Sequence, residues 1–401
     1  DSLPAKTPVR AMAATTKLQT SVLLYYKYVR PSWTEEETCE MLALQECLTK
    51  EHKLCGRVRV ACEGLNVNLS GVGSDLDAYE AALVAWRGGF LSPIDFKRAP
   101  TTPDLAFRGV KIWRTPELVG LGAAGLPADA PCGRHVSPRE FHDLLSHAAD
   151  AAATPTSPQR KLVLLDARNV YESRLGRFEV NIPAHASAVT TCMPPTTTFS
   201  ELPAFLDGLA SQVPGCSLAN TTVAMYCTGG VRCERASAYL LHKHSGVEGL
   251  DVVQLSGGIH RYLEAYPDGG AFWRGLNYVF DRREAHGPSG APGRSLGRCV
   301  TCAEPWSSYK GKRRCSKCNL LVLVCDLCQS RGTDKKQHSR LVCEVCGAQE
   351  GESNPAEVLQ GDADEKADAK PAKRSKIQAK ELVGVHHLLG EVTEDNGVQP
   401  Q

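Results

Sequence analysis

The sequence lacks several things that would decide its class at once. It has no charge excess: 46 Lys+Arg stand against 45 Asp+Glu in 401 residues, so no global basic field announces a polyanion partner. It has no apolar run of the roughly 18–20 residues needed for a membrane span, so no membrane association is expected. It has no basic start followed by an apolar stretch and a cleavage site. Secretion is therefore not expected; the chain reads as intracellular and cytoplasmic, with organelle and nucleus left open. There is no internal repeat. What the chain does have is cysteine. Of 17 cysteines, eight fall between Cys299 and Cys346. Evenly spread cysteines in a short secreted chain would mean disulfides, whereas clustered Cys-x2-Cys pairs in a long chain mean metal. At ~150 residues per domain the length suggests two to three domains, and 42% hydrophobic residues suffice for sizeable cores.

Residues 1–20 are small, polar and unpatterned, and read as a disordered leader; a transit-peptide remnant is the alternative, and the true start is left open. From residue 21 to 113 the order β-α-β-β-α-β is expected, the split ferredoxin-like unit. Its parts are a buried strand over Ser21–Val29 and a helix over Trp33–Lys50 facing inward with Cys39, Leu42, Ala43, Cys47 and Leu48. Strands follow over Gly56–Cys62 and Val67–Ser70, separated by a turn at Glu63–Asn66. A helix then runs from Ser74 to Arg87, with final strands over Ile94–Lys97 and Phe107–Trp113. Residues 114–136 read as a Gly/Ala/Pro linker. Over 137–283 strands alternate with helices: Lys161–Ala167, Thr221–Tyr226 and Val252–Leu255 as strands, Ser137–Ala149, Phe199–Leu209, Cys233–His244 and Gly257–Tyr266 as helices. That is an α/β domain with a parallel sheet. Residues 284–298 form a second linker, 299–346 the cysteine block, and 347–401 a charged, aromatic-poor tail expected to be disordered.

The sharpest chemistry sits at Cys227-Thr228-Gly229-Gly230-Val231-Arg232. A buried strand ends at Tyr226 and a helix starts just beyond, the place where open α/β folds put ligands. A short Gly-bearing loop there can turn several backbone N–H groups on one centre, and helix N-terminal amides add positive potential. A thiolate at Cys227 would be stabilised and reactive, and Arg232 supplies a cation able to hold an anionic substrate. The Cys-x4-Arg spacing is one residue shorter than the Cys-x5-Arg loop that encircles a phosphate, so the loop suits a sulfur adduct better than a phosphoryl group. Cys233 reads as an inward-facing helix residue, with a resolving thiol as the alternative. Asp166 could steer substrate or pair with Arg168 or Arg232; Glu172 and Arg174 are close enough in sequence to reach the same pocket, and surface positions fit them equally well. His260 reads as a surface histidine.

Residues 227–232 resemble the active-site loop of rhodanese domains, as do Leu165-Asp166-Ala167-Arg168 and Leu255-Ser256-Gly257-Gly258. The chain is closer still to one branch, the bacterial tRNA uridine hydroxylases and their eukaryotic rhodanese-containing relatives. The matches are CTGGxRCE at Cys227–Glu234, DxRNxYE at Asp166–Glu172, Glu63-Gly64-Leu65-Asn66, and Tyr278-Val279-Phe280-Asp281. The resemblance spans about 21–283. It implies an acylphosphatase-like first domain and oxygen-dependent hydroxylation of a tRNA wobble uridine, with Cys227 at the catalytic position. For rhodaneses in general it implies sulfur transfer, in which the cysteine takes a sulfane sulfur from a donor such as thiosulfate and carries it as a persulfide.

The cysteine block pairs Cys299 with Cys302, Cys315 with Cys318, Cys325 with Cys328, and Cys343 with Cys346, enough for two four-cysteine zinc sites. Pairing in sequence order and cross-braced pairing both fit the spacing, and His338 is a spare ligand. With every position filled by protein, the two zinc ions are expected to be structural, and no organic cofactor is expected. Between Arg294 and Cys346 there are 11 Lys+Arg against four Asp+Glu. Lys310, Lys312, Arg313, Arg314 and Lys317 crowd one loop beside Trp306 and Tyr309, a combination that suits phosphates and stacked bases. tRNA is the expected partner; a protein partner bound through the zinc module, acting as a scaffold, is the rival reading. Lys370–Lys376 reads as an ordinary basic stretch of the tail, with nuclear import as the alternative.

Overall fold

The computed structural model describes residues 20–104, 106–123, 125–153, 160–180, 189–213, 215, 217–278, 295–331 and 341–348. The leader, most of the tail, His338, the basic stretch 370–376 and residues 279–281 lie outside the described residues.

The first sheet is built from β1 (Thr20–Tyr28), β2 (Cys55–Ala61), β3 (Gly64–Val72), β4 (Lys97–Thr101) and β5 (Val110–Arg114), in the order β4-β1-β3-β2-β5. Helices α1 (Glu35–Glu51) and α2 (Gly73–Ala85) complete the split β-α-β-β-α-β unit, and β5 adds a fifth strand parallel to β2. Thr34 and Glu37 form a capping box at the start of α1. The face α1 buries is not the apolar one expected. Cys39, Ala43 and Cys47 are exposed, while Thr38, Met41, Gln45, Leu48 and Thr49 point inward. Three of those five are polar and each is satisfied: Gln45 accepts from Tyr79 Oη at 2.6 Å, and Thr38 and Thr49 donate to carbonyls one turn back. A core with polar members defeats a hydrophobic-period reading.

Other boundaries also moved. Strand β3 starts at Gly64, paired with Ala61 across the hairpin, so the expected four-residue turn shrinks to Cys62-Glu63. Ile94 and Phe96 pack on the core from outside the ladder, and the strand expected at Ile94–Lys97 begins instead at Lys97. The strand expected at Phe107–Trp113 starts at Val110.

The second sheet has the order β6-β11-β10-β7-β9 and its pairs are all parallel. Its strands are β6 (Arg134–Val136), β7 (Lys161–Asp166), β9 (Val189–Cys192), β10 (Thr221–Tyr226) and β11 (Asp251–Leu255). Leu162, Leu164, Ala224 and Tyr226 pack on one side, against α3 (Pro138–Ala153) and α7 (Gly258–Ala265). Val163, Leu165, Val223 and Met225 pack on the other, against α5 (Leu202–Asp207) and α6 (Val231–Lys243). Covering both faces is why these strands read as unbroken apolar runs. A short helix α4 (Val170–Ser173) leads into β8 (Gly176–Phe178), which pairs with β12 (Trp273–Gly275). The segment expected to be a bare linker over 114–136 buries Leu118, Val119, Leu121 and Ala130 and ends in β6.

The described residues of the cysteine-rich part include two isolated bridges, Arg298 with Pro305 and Arg314 with Leu321, and helices α8 (Asp326–Arg331) and α9 (Glu344–Ala348).

Candidate active site

Strand β10 is buried at every position and lies between β7 and β11, so its end is fixed from both sides. It delivers Cys227 into a tight arch that closes at Gly230. Gly230 has φ +101°, a conformation that favours glycine, and helix α6 starts immediately after it, two residues earlier than expected. The Gly230 N–H lies 3.1 Å from Cys227 Sγ. From the opposite side, α7 holds the arch by its carbonyls: Ile259 N–H donates to Cys227 O at 3.0 Å and His260 N–H to Thr228 O at 3.2 Å. Gly258 permits that approach, since a Cβ there would sit 2.5 Å from Cys227 O and 2.8 Å from the amides of Gly229 and Gly230.

Cys227 is fully buried, and burial alone would raise its pKa. The Cys233 thiol donating to it, the Arg232 charge, and the amides of Arg232 and Gly230 outweigh that penalty and bring it down to about 5. Cys233 is buried too, facing inward as expected; burial first, then the neighbouring thiolate, pushes it up, so it stays a donor.

Arg232 is not an open anion site. Its guanidinium forms a two-pronged pair with Glu172, Nη1 to Oε2 at 2.6 Å and Nη2 to Oε1 at 2.8 Å, and Nη2 also lies 3.3 Å from Thr228 Oγ1. Its charge acts on the sulfur from inside the fold. Glu172 therefore belongs to the site, held by a capping box with Asn169 at the start of α4. Asp166 and Arg168 take the bland alternative: they pair with each other, fully buried, at 2.6–2.8 Å. Arg168 also donates to Gly176 O of β8 and lies over the Tyr226 and Trp273 rings, so the pair fastens β7 to the framework rather than facing substrate. Val231 opens the first turn of α6. His260 is only 22% exposed, within 3.2 Å of Glu264, not the surface residue expected.

The loop is covered from outside its own sheet. The far face of the first sheet lies against it. Tyr26 Oη donates to Glu234 Oε1 at 3.3 Å and Tyr28 Oη to Val231 O at 3.5 Å, while Leu24 lies against Gly229 and Tyr26 against Gly230. Lys97, 1% exposed, pairs with Asp95 at 2.5 Å and sits over the Tyr26 ring. Asp95 in turn accepts from Arg261 of α7 at 2.9 Å, bolting the two sheets together beside the thiol. The signal was in β1: Leu24, Tyr26 and Tyr28 are large side chains on the face opposite Leu23 and Tyr25, so both faces had to be covered.

The eight clustered cysteines fall into two groups. Cys299, Cys302, Cys325 and Cys328 form one and Cys315, Cys318, Cys343 and Cys346 the other, with the sulfurs of each within 4.8 Å of one another. The pairing is thus cross-braced. Backbone amides also point at the sulfurs, Cys325 N–H to Cys299 Sγ and Cys343 N–H to Cys315 Sγ, both at 3.3 Å. Four thiols with supporting amides fit a tetrahedral metal ion, and each group can hold one.

This module docks on α4. Tyr309 Oη donates to Tyr171 O at 2.6 Å, the rings of Tyr171, Tyr278 and Tyr309 pack edge to face, and Arg174 pairs with Glu344 at 3.3 Å. The aromatics expected to stack on bases are thereby occupied. Tyr309 is in this cluster, and Trp306 packs on the module core with its indole N–H donating to Ser308 O. Lys310, Lys312 and Arg314 are exposed, and Arg313 is half-buried. Among the described residues no helix is long and apolar enough to cross a membrane.

Comparison with known proteins agrees with this architecture. Residues 20–118 match the family model "UPF0176 acylphosphatase like domain" and residues 274–347 the model "Rhodanase C-terminal". The chain is 36% identical over 340 residues to "Rhodanese-like domain-containing protein 6" of Arabidopsis thaliana, covering 82% of this chain but only 53% of that protein, about half its length. It is 32% identical over 285 residues to the "tRNA uridine(34) hydroxylase" of Prochlorococcus marinus, covering 71% of this chain and 81% of the relative. The protein of the same name from Jannaschia sp. is 34% identical over 255 residues, 63% of this chain and 72% of that one. With its acylphosphatase-like domain, its parallel α/β sheet and its two four-cysteine groups in place, the chain belongs to the tRNA uridine(34) hydroxylase family of rhodanese-domain proteins.

Proposed function

We propose that this chain is an enzyme that hydroxylates the wobble uridine of tRNA at C5, one atom of O2 entering the C–H bond and the other leaving as water with two electrons from an external donor, and that Cys227 is its reactive thiol. The observation that supports this most is a sulfur kept as thiolate at neutral pH, its pKa lowered to about 5, at a strand end ringed by amides. That ring stabilises any anionic adduct the sulfur forms. Arg232, neutralised by Glu172, tunes the sulfur and does not bind substrate. Glu234 and Tyr26 fasten the cover over the loop. Because Cys227 is 0% exposed, a nucleotide can reach it only after some part of the structure around the arch moves.

Sulfur transfer is the second reading, since the same amides would hold a persulfide. The two separate experimentally. Cells lacking the protein, or carrying Cys227→Ser, should lose 5-hydroxyuridine and its derivatives from total tRNA nucleosides. Unchanged nucleosides, together with a 32-dalton gain on Cys227 after thiosulfate, would favour sulfur transfer. We assign zinc to both four-cysteine groups as a structural ion; bound there, it supplies the cross-links of a module with too small a core to fold alone.

A further inference from the structure

We propose that the open part of the first sheet's outer face is a track for single-stranded RNA leading to Cys227. The inference rests on the tRNA reading above and locates the RNA on the acylphosphatase-like domain rather than on the zinc module.

The register places one set of side chains on this face. Lys97 of β4 stands beside Leu24 of β1; Leu24 and Tyr26 stand beside Asn68 and Asn66 of β3; these stand beside Arg57 and Arg59 of β2, and those beside Lys111 and Trp113 of β5. No acidic residue occupies these ladder positions. The β1 end is the part that lies on the catalytic arch. From there to β5 the face crosses three strand spacings, roughly 14 Å.

The free end has the chemistry of a nucleic-acid platform. Arg59 lies 5.4 Å from the Trp113 ring and Lys111 5.0 Å from it, and Arg57 lies 5.7 Å from Phe107. Arg57, Arg59 and Lys111 are exposed, and among the described residues none has a carboxylate partner. Other arginines of the same domain are paired: Arg87 with Glu37 and Glu40, Arg98 with Asp77 and Glu80, and Arg114 with Glu35. Cations without a carboxylate in one stripe, Arg57 bonded only to the carbonyls of Gly56 and Gly109, with aromatic rings between them, fit a phosphate backbone and unstacked bases. Between the stripe and the arch sit Asn68 and Asn66, both half-buried; the Asn68 Oδ1 is itself buried without a hydrogen-bond partner, and Asn66 Nδ2 donates to Leu118 O at 3.1 Å.

The test uses the full chain and a fluorescein-labelled anticodon stem-loop RNA carrying an unmodified wobble uridine, read by anisotropy across a salt series. The variants are Arg57→Ser/Arg59→Ser, Trp113→Ala, and Lys310→Ser/Lys312→Ser/Arg314→Ser as the zinc-module counterpart, each checked for an unchanged melting curve. The arginine pair should weaken binding at least tenfold and flatten the log-affinity against log-salt slope by about 1.4, two phosphates at about 0.7 each. Trp113→Ala should weaken binding with the slope unchanged. The proposal is overturned if the arginine variant binds within twofold of wild type on the same slope, or if wild type does not bind. Nucleoside analysis keeps the two readings apart. RNA bound through Arg57 and Arg59 without 5-hydroxyuridine formation would sink the hydroxylase reading and leave the track standing. Full hydroxylation by the arginine variant would sink the track alone.

Discussion

The chain uses cysteine in two opposite ways, and the contrast lies in what surrounds each sulfur. In the arch one sulfur faces donors: two amides, a thiol and a guanidinium, which bring Cys227 to about 5. In the zinc module eight sulfurs face one another in two groups of four, each group within 4.8 Å. There the thiols divide. Despite burial, amides bring Cys299 to about 7 and Cys315 to about 6, while desolvation and then neighbouring sulfurs push Cys346 up to about 12. A group so divided cannot become four thiolates unaided, and a divalent cation removes the conflict. One environment makes a reactive sulfur, the other a ligand set.

The largest expected effect comes from breaking the second environment. Stripping metal with a strong chelator, or Cys315→Ser, removes binding energy on the order of 10 kcal/mol from the module. Limited proteolysis should then cut within 299–346 while the parallel-sheet domain stays intact, and elemental analysis should fall from about two metals per chain. A protease-resistant metal-free module would break the comparison.

Next comes the buried pair behind the arch. Glu172→Gln leaves the Arg232 charge without its counterion and should cost about 3 kcal/mol or more in urea unfolding. A loss under 1 kcal/mol would mean that the pair is solvated.

The comparison is sharpened by pH. A thiol with a pKa of about 5 loses its thiolate as pH falls through 5, so alkylation of Cys227, followed by peptide mass spectrometry, should hold its rate from pH 8 down to about 6 and then drop. Cys233→Ala removes the S–H donor and should raise the midpoint by about one unit, the worth of one hydrogen bond to a charged group at about 1.5 kcal/mol. A midpoint near 8.5 in wild type would contradict the assigned field. The smallest effect is expected at the link between the two regions. Tyr309→Phe loses one hydrogen bond to Tyr171 O, about 1 kcal/mol, read as a small fall in melting temperature.

Much of this was legible in the sequence where one physical cause dominated. Thr221–Tyr226 could be bounded to the residue because a strand covered on both faces is apolar throughout. The arch and the cysteine pairs were legible because their residue types have few other uses. Strands β6, β8, β9 and β12 were not, since three or four residues are too few to show a period. The metal pairing was hidden because every pair has the same spacing, so only tertiary contact distinguishes cross-braced from consecutive. Glu172 could be placed near the pocket from its position after Asp166, but its pairing with Arg232, 60 residues away, was hidden. The cover over Cys227 was hidden because contact between two domains leaves only a trace, the second row of large side chains in β1.

The most direct test is tRNA nucleoside mass spectrometry on cells lacking the protein and complemented with wild type, Cys227→Ser or Cys233→Ala. The account predicts that wild type restores 5-hydroxyuridine and its derivatives, that Cys227→Ser restores none, and that Cys233→Ala restores part. Full restoration by Cys227→Ser would contradict it.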